Sequence, residues 1–471
     1  MRPQRKSWAA HLVGVAAIAA GAISTHGQAS DAIIDKLVEK GILTVKEAND
    51  LREESDKGYN QAYQVKGGMP DWISSLKING DVRGRFEGFY TEEIADRLRY
   101  RYRLRLGMVA TFREQFEVGL RLTSGEAPNT FGGDPISDNT TLTGNGSKKY
   151  VYLSQVYAKW TPINNQTAAM SFSLGKMENP FGWSDMLFDP DYSPEGLSQQ
   201  FAFNLNDKHS LKLNMGEFAL AEIGNSSNDP FLLGVQTRWD AAWTPKWSSS
   251  TGVGALWITD ARNLRAYDYT MAGVADTYKA NTPDVNYGNS RNPTYGYLSN
   301  GMQPIVAEGS LTYTVSSFPA YNGPFPIKVG GEYMNNLEAD RMNEGYWVGV
   351  TFGKSGKKGT WDVSYRYKEL QGDAWFEELV DSDFGAYYRQ QPLGAGPSYF
   401  NDRTLYASGK YRSGGYYSGT NVRGHVVKAA YSPYDCMTLG VTYFLTETIE
   451  DPKVANSAPT HRIQVDAQWK F

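Results

Sequence analysis

Arg97-Leu98-Arg99-Tyr100-Arg101-Tyr102-Arg103-Leu104-Arg105-Leu106 places a cation and an apolar or aromatic residue at alternate steps, and Met108, Ala110 and Phe112 continue the apolar series. Successive side chains of an extended strand point to opposite faces, so one face of this segment carries five guanidiniums and the other none. Alternate residues lie ~6.6 Å apart, so Arg97 to Arg105 cover ~26 Å of strand. That length matches the apolar band of an outer-membrane barrel before tilt. If Leu and Tyr meet lipid, the arginines must border water. An arginine on the lipid face near the midplane costs ~2–4 kcal/mol, which excludes the reverse orientation. A soluble sheet with arginines in bulk water satisfies the same pattern, so the rest of the chain has to decide.

The alternation recurs in Leu233, Val235, Trp239 and Trp243, in Ile327, Val329 and Tyr333, in Trp361, Val363, Tyr365 and Tyr367, and in Leu439, Val441 and Tyr443. Strands are expected near 76–90, 97–112, 115–123, 150–160, 168–177, 198–206, 209–223, 230–243, 248–259, 304–316, 325–334, 345–353, 359–369, 420–431, 435–446 and 461–471. That is about sixteen, with ambiguous facing at 168–177, 248–259 and 420–431. Connections after even-numbered strands are short, while 124–149, 178–197, 260–303 and 370–419 all follow odd-numbered ones. Short turns on one rim and long loops on the other are the mark of an antiparallel barrel threaded from the periplasm. A β-sandwich has no reason to segregate loop length. The expected fold is all-β, a transmembrane antiparallel barrel over residues 71–471.

Composition agrees. Among 471 residues, Gly (48), Tyr (31) and Trp (12) are abundant and the net charge is only -4. The rings favour strands and the membrane–water boundary, and the weak net charge offers no field for nucleic acid. Residues 1–29 read as a signal peptide: Arg2, Arg5 and Lys6 precede an apolar run from Leu12 to Ile23, with Gly27-Gln28-Ala29 as the cleavage site. Residues 30–57 carry a helical period and a Thr44/Glu47 capping box, predicting a short periplasmic hairpin, either a spacer or a binding element, and 58–70 read as a linker. Cys436 is the lone cysteine, so no intrachain disulfide is expected.

At the chain end Ile463, Val465, Ala467, Trp469 and Phe471 alternate with Arg462, Gln464, Asp466, Gln468 and Lys470. This resembles the C-terminal strand of bacterial outer-membrane proteins, in which the terminal aromatic is read by the barrel-assembly machinery. Residues 30–471 further resemble the Putative porin family of Gram-negative bacteria, through Leu37-Val38-Glu39-Lys40-Gly41-Ile42-Leu43-Thr44 ahead of the barrel and Gly175-Lys176-Met177-Glu178-Asn179-Pro180-Phe181 opening a long loop. The resemblance implies an outer-membrane location, passive diffusion of small hydrophilic solutes and a homotrimer embedded in outer-membrane lipid. General porins fold the matching loop into the lumen. Here Asn179-Pro180-Phe181-Gly182-Trp183 departs from their Pro-Glu-Phe-Gly-Gly signature, so infolding stays open.

A pore screens solutes by width and charge. The expected basic lining is Arg83, Arg85, Arg97, Arg99, Arg101, Arg103, Arg105 and Arg121, with Lys77 beside it and Asp81, Glu87 and Glu117 interspersed. Asp185, Asp189, Asp191 and Glu195 are the candidate acids of a constriction loop. Three readings follow: a transverse field between ladder and loop, an anion-favouring lumen for phosphate- or carboxylate-bearing solutes, or ion pairs that only satisfy buried charge. Long loops over 260–303 and 370–419 also admit a non-conducting barrel that serves as an adhesin or receptor.

Enzymatic, metal and cofactor roles are not expected. Gly353-Lys354-Ser355 lacks the first glycine of a phosphate-binding loop and joins two strands. Asp381-Ser382-Asp383 lacks the calcium-loop pattern and reads as a solvated loop. His209, His425 and His461 have neither zinc spacing nor a partnered nucleophile.

Overall fold

In a computed structural model the described residues are 72–92, 96–128, 132–224, 226–264, 288–291, 297–388, 415–450 and 459–471. The leader, the hairpin over 30–57 and the linker over 58–70 lie outside them. Residues 76–471 form one compact unit. Its strands are β1 Ile73–Thr91, β2 Arg97–Phe112, β3 Phe116–Gly125, β4 Tyr150–Asn164, β5 Ala168–Lys176, β6 Glu195–Asn206, β7 His209–Ala219, β8 Phe231–Ala242, β9 Trp247–Ile258, β10 Pro304–Val315, β11 Phe325–Asn336, β12 Glu344–Gly353, β13 Thr360–Leu370, β14 Val422–Tyr434, β15 Met437–Thr448 and β16 Thr460–Lys470. The two-residue segment Thr140–Thr141 makes a further pairing against Arg101–Tyr102 of β2.

Each strand pairs antiparallel with its chain neighbour, and β16 returns to β1 in a register from Asp81↔Lys470 to Thr91↔Thr460. The sheet therefore closes, which removes the free edges that would otherwise expose unpaired backbone to lipid. The last residue completes the seam: Gly80 N–H donates to the Phe471 carbonyl (2.9 Å) and Phe471 N–H to that of Gly80 (3.1 Å). Gly80 has to be small, because a Cβ there would collide with the Arg105 carbonyl and approach Phe471 Cζ to 2.6 Å.

Alternation decides which residues meet lipid. Leu98 and Tyr100 are 59% and 60% exposed, whereas Arg101 and Arg103 are 8% and 6%. The three strands of ambiguous facing resolve the same way, with Leu174, Val253 and Val427 on the outer surface. Near the short turns the outer surface carries aromatic pairs: Phe116 stacks on Trp160 (6.4 Å), Trp160 on Phe172 (5.8 Å), and Trp247 meets Tyr313 at 4.7 Å. Such rings sit well at a headgroup boundary. The β2–β3 turn lacks the Asn-Gly signal, yet Arg113 (φ 47°) and Glu114 (φ 61°) take the left-handed conformations that a tight hairpin demands.

The largest apolar cluster is inside the barrel. Met177, Phe181, Trp183, Met186, Leu187 and Phe188 from the β5–β6 loop pack with Trp375, Phe376, Leu379 and Val380 from the β13–β14 connection. Phe218, Leu232, Leu256, Val306 and Met334, at the long-loop ends of β7 to β11, supply the wall against which they pack. An inward face this apolar cannot line a wide aqueous channel over that sector; it needs a filling, and the loops provide it.

Candidate pore constriction

The site is a plate of loop inside the barrel, with the arginine ladder on one side and a mixed wall on the other. Met177–Pro194, the β5–β6 loop, folds inward and reaches several strands. Gly182 N–H donates to Gln236 Oε1 on β8 (2.8 Å), and Ser184 N–H and Oγ–H donate to Glu332 on β11 (3.0 and 2.5 Å). Asp185 takes bonds from Arg366 (2.8 Å) and Lys368 (3.0 Å) on β13. Asp191 lies 3.2 Å from both Arg103 and Arg105 on β2. A loop anchored to β2, β8, β11 and β13 traverses the lumen. The question that the departed signature left open is thus answered by geometry: Asn179 Oδ1 caps the Phe181 N–H (3.0 Å) and stacks of Phe181 on Trp183 (4.8 Å) stiffen the turn.

Of the four candidate acids, Asp185, Asp189 and Asp191 are on this plate. Asp189 is buried and accepts the N–H groups of Asp191 and Ser382, both at 2.7 Å. Glu195 does not join them. It opens β6, where it is mostly exposed and pairs with Lys176 across the rim at 2.8 Å. The charges are set by their neighbours. Burial opposes ionisation of Asp185, but Arg366 and Lys368 outweigh it and hold the carboxyl well below the ordinary range. Burial, then the charges of Asp191 and Asp381, push Asp189 well above it.

The ladder is assembled on inward positions of β1 to β3, and most of it is spent on carboxylates. Arg85 pairs with Asp466 (2.7 Å) and Asp383 (2.8 Å), and Arg99 with Glu87. Arg103 and Arg105 share Asp81, each at 2.9 Å, besides Asp191. Arg101 lies 3.9 Å from Glu87 and from Glu126. Arg97 stands at the exposed rim, 5.8 Å from the Phe89 ring centre. Arg83 and Arg121 differ: among the described residues their hydrogen-bond partners are neutral, Asn139 (2.6 Å) for the first and Ser154 (2.8 Å) and Ser193 (3.0 Å) for the second.

Several residues of the site were missed by sequence reasoning. Arg462 alternates with Ile463, so its inward facing was legible, but not its partners Glu87 (2.8 Å) and Asp383 (2.7 Å). Arg366, Lys368 and Glu332 carried the same period-two signal without a reason to single them out. The solvated-loop reading of Asp381-Ser382-Asp383 is corrected: Asp381 pairs with Lys368 (3.1 Å) and Asp383 with Arg85 and Arg462, so this segment lies inside the barrel. No metal-ligand cluster occurs among the described residues.

A closed barrel of sixteen strands, short turns on one rim and a loop folded across the lumen define a porin-type outer-membrane barrel. Residues 90–257 match the family model described as Putative porin. Among solved structures the chain is similar to OprB of Pseudomonas putida (11% identity, TM-score 0.47, 84% of this chain and 94% of that one). It is also similar to OmpF of Salmonella typhi (10%, TM-score 0.45, 84% and 97%) and to a loop-deleted OmpT of Vibrio cholerae (9%, TM-score 0.41, 85% and 100%). No curated protein matches the sequence.

Proposed function

We propose that this protein is an outer-membrane porin that passes small hydrophilic solutes by passive diffusion, with a modest preference for anions. The observation that carries the reading is the β5–β6 loop held across the lumen of a closed barrel, which narrows a water path as a solute filter requires. Anion preference rests on Arg83 and Arg121, whose hydrogen bonds go to neutral groups while Arg85, Arg99, Arg103 and Arg105 are paired with carboxylates. Of the three charge readings, the ion pairs of Arg85, Arg99, Arg103 and Arg105 favour structural pairing. A transverse field would need charged, unpaired acids on the plate, and Asp185 and Asp191 are paired while burial favours the neutral form of Asp189. The chain works in the outer membrane, reached through its leader and the barrel-assembly machinery, as a homotrimer on the family's pattern.

The test is planar-bilayer recording of the purified protein. Ohmic channels with a reversal potential on the anion side of zero in a KCl gradient support the reading. The apolar filling of the lumen favours one rival, a sealed barrel that presents its long loops as an adhesin or receptor. Bilayers that stay silent with correctly folded protein select that rival.

A further inference from the structure

The β13–β14 connection also enters the lumen, and its described inner part is tied down on four sides. At its start, Asp373 accepts the Ser290 N–H (2.7 Å) through its side chain and an Asn336 amide hydrogen (2.7 Å) through its carbonyl. In its middle, Trp375 is fully buried, donates Nε1–H to the Leu187 carbonyl (2.8 Å) and stands edge-on to Phe188 at 6.1 Å. Asp189 N–H donates to the Leu379 carbonyl (2.7 Å) and Asp381 N–H to that of Asp185 (3.0 Å). At its end, Asp383 reaches Arg85 and Arg462 on the two strands of the closure seam.

We propose that Gly372–Asp383 is a second constriction element, which with Met177–Pro194 sets the largest solute that passes and hides cations of the wall from it. The inference rests on the porin reading and adds the residues that determine its selectivity. Two physical arguments support it. Leu187 and Phe188 are buried in one cluster with Trp375, Phe376 and Leu379, so packing against the second loop helps hold the first in position. Asp381 pairs with Lys368, and Asp383 with Arg85 and Arg462. Removing the segment takes two carboxylates from three cations that then keep only Asp185, Asp466 and Glu87, and makes the wall more positive. Its removal should widen the passage and turn it toward anions together. A segment that merely braces the barrel would do neither.

The experiment compares full-length wild type with two variants in planar bilayers: Ala374–Asp383 exchanged for a Gly-Ser linker of equal length, and Trp375→Ala. Folding is established by heat-modifiable migration on gels. The linker variant should conduct about twofold or more above wild type, with a reversal potential further to the anion side, and Trp375→Ala should rise by a smaller factor. Should the linker variant fail to fold, Trp375→Ala alone decides. Unchanged conductance and reversal potential in folded variants overturn the inference and leave the porin reading standing. A silent wild type with a conducting variant overturns the passive-diffusion reading and supports the inference, and silence in all three overturns both.

Discussion

Asp383 and Arg462 meet at 2.7 Å inside the barrel, where a loop carboxylate clamps the strand that closes the sheet. The same carboxylate reaches Arg85 on β1 at 2.8 Å, so one side chain bridges both strands of the seam. The Arg462 guanidinium is further enclosed by the rings of Tyr416, Phe89 and Phe444 at 4.9–5.5 Å. Burial, overcome by the charges of Arg85 and Arg462, leaves the Asp383 carboxyl well below the ordinary range.

Removing that carboxylate strands buried cations. Asp383→Ala should destabilise the barrel by on the order of 3 kcal/mol, the usual result of breaking one side of a buried pair. The measurement is the urea midpoint of unfolding in detergent micelles followed by tryptophan fluorescence. An unchanged midpoint would mean that the seam does not depend on the loop.

Ion selectivity separates the paired from the unpaired arginines. Arg83→Glu and Arg121→Glu should each move the reversal potential toward cations while the barrel still folds, since neither pairs with a carboxylate among the described residues. Arg103→Glu instead places a third acid beside Asp81 and Asp191 and should lower the folded yield. Equal shifts from all three variants, with equal yields, would contradict this division of labour.

The inner loops should respond to pH. Burial first, then the nearby charge of Asp191, push the Asp138 carboxyl up to about 6, against the pull of Arg105 and Arg121. A carboxyl whose folded pKa is raised stabilises the folded arrangement when protonated; the gain is complete below the unfolded value and is lost as pH rises through about 6. Amide exchange over residues 134–140, corrected for the intrinsic rate, should therefore be slower at pH 5 than at pH 8. Burial also pushes the Asp134 carboxyl up to about 6, so Asp138→Asn should reduce the difference and Asp134→Asn together with it should abolish it. An undiminished difference in the double variant assigns the effect elsewhere.

Assembly should depend on the closing contact of Gly80 with Phe471. Deleting Phe471 removes both seam hydrogen bonds, and Gly80→Val drives a side chain into the Arg105 carbonyl. Both changes should slow the appearance of heat-modifiable barrel in a pulse-chase experiment. Normal kinetics in the deletion would remove the terminal aromatic from the assembly signal.

The barrel was readable from the chain because its determinants are local. Period-two alternation and turn length act over a few residues, and a closed sheet in lipid allows little else. Arg97 to Leu106 already separates a lipid face from a lumen face, and the segregation of long loops orders the rims. What the lumen contains was not local. Arg85 with Asp466, Arg462 with Glu87 and Arg366 with Asp185 join residues 381, 375 and 181 positions apart. Alternation announces an inward arginine but not its partner, which depends on the register at which β16 closes on β1 for Arg85 and Arg462, and on how a loop without periodicity packs for Arg366. Trp183, Leu187 and Trp375 enter the barrel because the inward ends of β7 to β11 are apolar and must be covered, a requirement that exists only once the cylinder has closed.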